Sequence, residues 1–210
     1  MKTAMIWGAN GGMGRAITAH LDHAGWTVLG VSRHPEEVSD LTPNAIMVDV
    51  TDPKAVEDAI GAARQVVAEV DLWVYAVGTI TSSRVNEMAP ETWARLLGAN
   101  LTGAYLATHY SLPLLAPQAH LFYLGAYDER LRLPGLAAYA ASKAGLEAFT
   151  DVLAKEQRRL KVALVRPAAV KTALWDDVPF KRPAGALEPE AVAARILEAF
   201  DAGEKGQLDL

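Results

Sequence analysis

Seven strand-length apolar runs, alternating with segments of helical period, constrain this chain more than anything else in it. The runs fall at 3–7 (TAMIW), 26–32 (WTVLGVS), 45–48 (AIMV), 71–77 (DLWVYAV), 119–124 (AHLFYL), 162–166 (VALVR) and 206–210. Helical segments lie near 12–24, 53–68, 90–115 with a break around Leu97 to Asn100, 136–160 and 189–202. Such alternation builds a parallel sheet, since each parallel connection must cross over and its helix covers one face. The expectation is an α/β fold: a doubly wound parallel sheet of seven strands with helices on both faces, as one domain over 1–210. An apolar fraction of 51% in 210 residues can fill that core. No apolar stretch reaches the roughly 18 residues that span a bilayer. The start, MKTAMIWGAN, has no charged leader before a long apolar segment, so a cytoplasmic protein with no membrane partner is expected.

Composition then removes whole classes of chemistry. Cysteine is absent, which excludes disulfides, thiolate metal sites and a cysteine nucleophile. Among five histidines, His20 and His23 share a helix face but lack a third ligand at suitable spacing, so no metal is expected. Twenty basic against 25 acidic residues leave a charge of −5. The one basic cluster, KEQRRLK at 155–161, reads as a solvated helix end rather than a nucleic-acid surface.

The first strand runs straight into WGANGGMGRAI, which opens the first helix. Gly8, Gly12 and Gly14 there form a turn bare enough for phosphate oxygens to approach backbone N–H groups at a helix N-terminus. The second strand ends VSRHP. Where a binder of unphosphorylated NAD places an acid, this chain has Ser32 and Arg33, which could hold a 2′-phosphate. NADP(H) is therefore expected over NAD(H), unless Arg33 is an ordinary surface cation. After the third strand, in VDVTDP, Asp49 either accepts from an adenine amino group or serves a turn, while Asp52 caps the next helix ahead of Pro53. In AYAASKAG, Tyr139 and Lys143 stand i to i+4 on one helix face.

With these pieces in order, the chain resembles the short-chain dehydrogenase/reductase family over nearly its whole length. The matching marks are GANGGMG at 8–14, DVTD at 49–52, AVG at 76–78, ANLTG at 99–103, YAASK at 139–143 and RPAAVKT at 166–172. The resemblance implies a Rossmann-type sheet and hydride transfer between a nicotinamide cofactor and a carbonyl or alcohol substrate. It makes Tyr139 the acid/base and Lys143 its activator, lowering the phenol's pKa toward the working pH and anchoring the nicotinamide ribose. Asn100 would help hold a water on the relay. The cofactor site it implies takes in Gly8, Asn10, Gly12, Met13, Gly14, Ser32, Arg33, Asp49, Val50, Ala76, Gly78, Tyr139, Lys143, Pro167, Val170 and Thr172.

Departures from the family pattern are as informative. Ala126, in YLGAYDE, falls where a serine donates to the reacting oxygen. Such a loss costs on the order of 10²–10³ in turnover unless another group, with Tyr123 and Tyr127 the nearby candidates, takes over. Dihydropteridine reductases, a branch of the family, also lack that serine and carry a bulky aromatic before the first glycine, as Trp7 does here. Tyr75 and Ala76 replace customary asparagines and could loosen a strand-to-loop bond. Ala168 replaces a glycine, so the backbone there must avoid positive φ. The segment 171–188 is short, and Leu174, Trp175 and Phe180 are either a small lid or plain packing. Helices at 100–115 and 136–156 are small or apolar on nearly every side, which predicts a homodimer or homotetramer. The rival reading is a cofactor-binding sensor or assembly protein with faded catalysis.

Overall fold

The computed structural model describes residues 1–126 and 131–210. Seven strands, β1 (Thr3–Trp7), β2 (Thr27–Ser32), β3 (Asn44–Met47), β4 (Val70–Tyr75), β5 (Leu115–Leu124), β6 (Lys161–Arg166) and β7 (Gly206–Asp209), form one sheet. Its order is β3-β2-β1-β4-β5-β6-β7, and every neighbouring pair is parallel. The order reverses beside β1, between β2 and β4, and in a sheet of this kind the crevice above such a switch point is where ligands bind.

Among the described residues six α-helices flank the sheet: α1 (Gly12–His23), α2 (Pro53–Val66), α3 (Pro90–Leu97), α4 (Gly103–Ser111), α5 (Ala137–Glu156) and α6 (Pro189–Ala202). Each face of the sheet has its own core. Ile17, Leu21, Val192 and Ile196 of α1 and α6 pack on one side with Ile6, Val74 and Phe122. On the other, Ile60, Leu106, Leu146 and Leu153 pack with Trp7, Trp73, Tyr75 and Tyr123. Asp52 caps α2 as expected, its carboxylate accepting from the N–H groups of Lys54 and Ala55.

Of the boundaries that differ from the sequence expectation, three have a clear physical reason. The break near Leu97 is a π turn over Gly98–Thr102 that carries α3 into α4 without interruption. Strand β5 starts at Leu115, four residues early, because Leu115 already pairs with Val70 before a register shift; Pro117 and Gln118 hid this from an apolar count. Helix α5 ends at Glu156, so the basic residues Arg158 and Arg159 sit in a turn and not on a helix end. No described helix is long and apolar enough to cross a membrane.

Candidate active site

At the carboxyl ends of the strands lies a cavity of about 640 Å³. Its wall includes Gly8 and Asn10 after β1, Ser32 and Arg33 closing β2, Asp49 and Val50 after β3, and Ala76 and Gly78 after β4. Eight of the expected cofactor residues thus meet in one place. Gly8 has φ of +81°, and a Cβ there would come within 2.8 Å of the Val77 nitrogen, so the turn needs glycine twice over. Gly12 admits Thr172 instead: a Cβ would meet Thr172 Cγ2 at 2.8 Å, which shows how closely the segment after β6 seats on the turn.

Ser32 is 5% exposed, and its hydroxyl has no partner among the described residues although it borders the cavity. A buried polar group left unpaired costs about 1–3 kcal/mol, so a hydrogen-bonding partner reaching Ser32 from the cavity would relieve that cost. Arg33 stands exposed beside it. Asp49 does the turn's work: Oδ1 accepts from the Thr51 N–H at 2.9 Å and the Thr51 hydroxyl at 2.8 Å. Those two bonds, with the Arg33 charge adding to them, hold its carboxyl below the usual range. Asn10 donates to Glu37 at 2.9 Å, tying the glycine turn to the strap after β2.

Gly12, Met13, Gly14, Pro167, Val170 and Thr172 do not line this cavity. Met13 packs instead against the core beneath α1. Val170 is held by a parallel bridge to Leu187, and the Trp175 indole donates to the Val170 carbonyl at 2.8 Å. Trp175 is therefore a tether of its loop. Ala168 avoids positive φ, as no described residue other than glycine adopts it.

The catalytic candidates occupy a drier place. Tyr139 and Lys143 are each 7% exposed. The Lys143 ammonium donates to the Leu124 carbonyl at 2.7 Å and sits 5.7 Å from the centre of the Tyr139 ring. Burial pushes the phenol up to about 12 and the ammonium down to about 8. This corrects the expected depression of the tyrosine: neither charge has a counter-ion in the dry site, so desolvation wins and both groups favour their neutral forms. The phenol makes no hydrogen bond to a described residue.

Asn100, fully buried in the π turn, spends its side chain on structure. Its Oδ1 accepts from the Thr79 N–H at 2.8 Å, and its Nδ2 donates to the Thr79 carbonyl at 2.9 Å and to Ser142 Oγ at 3.0 Å. Ser142 in turn donates to the Tyr139 carbonyl at 2.7 Å. The loop after β4 is thus clamped rather than loosened, and Tyr75 adds a bond to the Ala99 carbonyl at 2.5 Å. Tyr123 is ruled out as a replacement donor, because its hydroxyl is buried against Thr108 Oγ1 at 2.6 Å. Tyr127 lies outside the described residues. Trp7 is wholly buried, 6.3 Å from Trp73, and belongs to the core.

Among the cavity residues that sequence reasoning missed are Thr51, Thr79, Ala94 and Arg95, and it also missed Ser142. Thr79 was one residue from the quoted AVG; Arg95 reaches the cavity only through the way α3 is placed. No group of three or more His, Cys, Asp or Glu able to hold a metal occurs among the described residues.

Comparisons with known proteins agree with this fold. The family model described as short chain dehydrogenase matches residues 2–182. The uncharacterized oxidoreductase YbbO of Escherichia coli is 28% identical over 95% of this chain and 81% of its own. The 3-oxoacyl-[acyl-carrier-protein] reductase FabG of E. coli is 30% identical over 84% of this chain and 78% of its own. Among solved structures, a Shigella flexneri short chain dehydrogenase complexed with NADP has a TM-score of 0.90 at 22% identity, covering 99% of this chain and 96% of that one. A Brucella melitensis 3-ketoacyl-(acyl-carrier-protein) reductase complexed with NADH has 0.86 at 23%, covering 100% and 96%.

Proposed function

Because this chain belongs to the short-chain dehydrogenase family, we propose that it is an NADP(H)-dependent oxidoreductase acting on a carbonyl or alcohol substrate, with Tyr139 as its proton donor. The observation that carries the cofactor preference is the unpartnered Ser32 hydroxyl beside Arg33 at the end of β2, on the wall of the same cavity as the glycine turn. A 2′-phosphate offers both of them a charge-assisted partner. The residues present fit a dinucleotide: a bare turn at the start of α1 for the pyrophosphate, and the Asp49 to Thr51 segment for the base. When bound, the dinucleotide supplies the hydride that reduces the carbonyl carbon.

The protein's own groups manage the proton. A phenol held at about 12 keeps its proton at neutral pH and can give it to the carbonyl oxygen as the alcohol forms. Lys143, held at about 8, stands next to it to restore charge balance from solvent. Asn100 and Ser142 hold the loop after β4 and the first turn of α5 in register, so that donor and acceptor stay within reach. Ala126 follows β5 where the family pattern would place a serine, and in this reading the reacting oxygen relies on Tyr139 alone. A homodimer or homotetramer joined through α4 and α5 completes the reading, since Tyr105 (49% exposed) and Val152 (51%) stand out on those helices.

Fluorescence titration of NADPH and NADH against the chain and its Arg33→Ala variant tests the proposal. NADPH should bind at least tenfold tighter, and the variant should lose most of that margin while NADH is unaffected. Equal affinities would defeat the cofactor assignment. NADPH that binds but is oxidised by no ketone, diketone, quinone or pteridine would favour the sensor.

A further inference from the structure

Tyr139 belongs to a small cluster of apolar side chains. Ile80 and Leu136 are buried with it, and Leu131, Leu174, Val178 and Phe180 are half-buried around them. None of these lines the large cavity, so the apolar cluster around the phenol ring is distinct from the cavity wall. Three of them, Leu174, Val178 and Phe180, belong to the segment 171–188, which makes Leu174 and Phe180 a cover over the tyrosine.

That segment is fastened at its ends and not in its middle. Lys171 N–H donates to the Leu187 carbonyl at 2.9 Å, its ammonium pairs with Glu188, and Trp175 bonds to Val170. What holds the stretch 176–182 down is contact with the Tyr139 cluster, and Gly185 has open space around it. A substrate reaching Tyr139 must displace or share this cover. A charged or hydroxyl-rich molecule would give up water among these six side chains, none of which offers it a hydrogen bond. An alkyl or aryl group would replace hydrocarbon with hydrocarbon. Leu131 and Leu136 also wall a groove of about 390 Å³ that continues past Val85 and Leu133, both exposed, and gives such a body somewhere to lie.

Resting on the oxidoreductase reading, we propose that the substrate is a neutral carbonyl compound with an apolar body, and that Leu174, Val178 and Phe180 select it. In the reducing direction the carbonyl carbon gains the hydride of NADPH, the oxygen gains the proton of Tyr139, and NADP⁺ leaves with the alcohol.

The test has two arms on the full chain. With NADPH in excess, kcat/KM is measured for straight-chain 2-ketones from butanone to octanone, for 2-oxo acids of matching length, and for an aldohexose. It should rise about fourfold per added methylene until the groove fills, and Phe180→Ala should flatten the rise while leaving the NADPH Kd unchanged. In the second arm, unreactive aliphatic amides and matching carboxylates are titrated calorimetrically into the NADP⁺ complex. Amides should bind more tightly as they lengthen, about tenfold tighter than the carboxylates, with a negative heat-capacity change. A 2-oxo acid or sugar turned over as well as the neutral ketone, or a carboxylate binding as tightly as its amide, overturns the proposal; Arg84 and Arg132, which also line the groove, would be the cause. Amides that bind as expected with no carbonyl reduced would leave the apolar site standing and bring down the oxidoreductase reading instead.

Discussion

Around Ser32 the crevice is a cavity of about 640 Å³ walled by residues at the strand ends. Tyr139 lies off that wall, buried in an apolar cluster with Lys143 beside its ring. The difference follows from what each half must recognise. A dinucleotide has one shape and many polar atoms, so a rigid turn with bare N–H groups serves it whatever the neighbouring side chains are. A substrate is met by side chains alone, and those carry its identity. The first half should therefore tolerate few backbone changes and many side-chain ones, and the second half the reverse.

The largest blow to this division of labour is Tyr139→Phe. It should reduce ketone turnover by about 10²–10⁴ and leave NADPH affinity within about twofold, read by NADPH absorbance and fluorescence titration. A variant as active as the parent would erase the distinction between the halves. Next comes Gly8→Ala, which forces a side chain into positive φ and onto Val77. We expect a stability loss of about 1–3 kcal/mol by urea titration and dinucleotide affinity weakened at least tenfold.

A smaller effect sharpens the contact between the halves. Burial lowers Lys143 to about 8, so its charge is present below that pH and lost above it. NADPH affinity should fall severalfold as pH rises from 7 to 9, and the dependence should vanish in Lys143→Met. The smallest expected effect belongs to neither half. His120, 1% exposed at the opposite end of the sheet, has two unpartnered ring nitrogens and lies near Lys161, Asp71 and Glu204. Burial lowers it from 6.5 to about 4. The unfolded chain therefore binds more protons between those values, and the stability present above pH 6.5 is lost as pH falls toward 4. At pH 5.5 the loss is about 1 kcal/mol by linkage, and His120→Phe should remove it without changing NADPH affinity.

Much of this was legible before any coordinates. The strand at 3–7, the glycine turn after it, the Asp52 cap and the helix at 189–202 follow from local pattern, because each depends on neighbours a few residues away. The start of β5 was not legible, since Leu115 joins the sheet by pairing with Val70, 45 positions earlier in the chain. For Asp49 the sequence left two roles open, and only the structure shows its Oδ1 accepting from Thr51 within the turn.

By itself the order of residues determined the parallel sheet and the place of the glycine turn, for these rest on periodicity and on where side chains are missing. Only tertiary structure decided that Asn100 clamps Thr79, that Tyr123 faces Thr108 and not the crevice, and that Phe180 covers Tyr139. Those contacts join residues 21, 15 and 41 positions apart in the chain. Burial, which sets the pKa of Tyr139 and Lys143 here, is likewise a property of the whole packed molecule and is written in no local stretch of it.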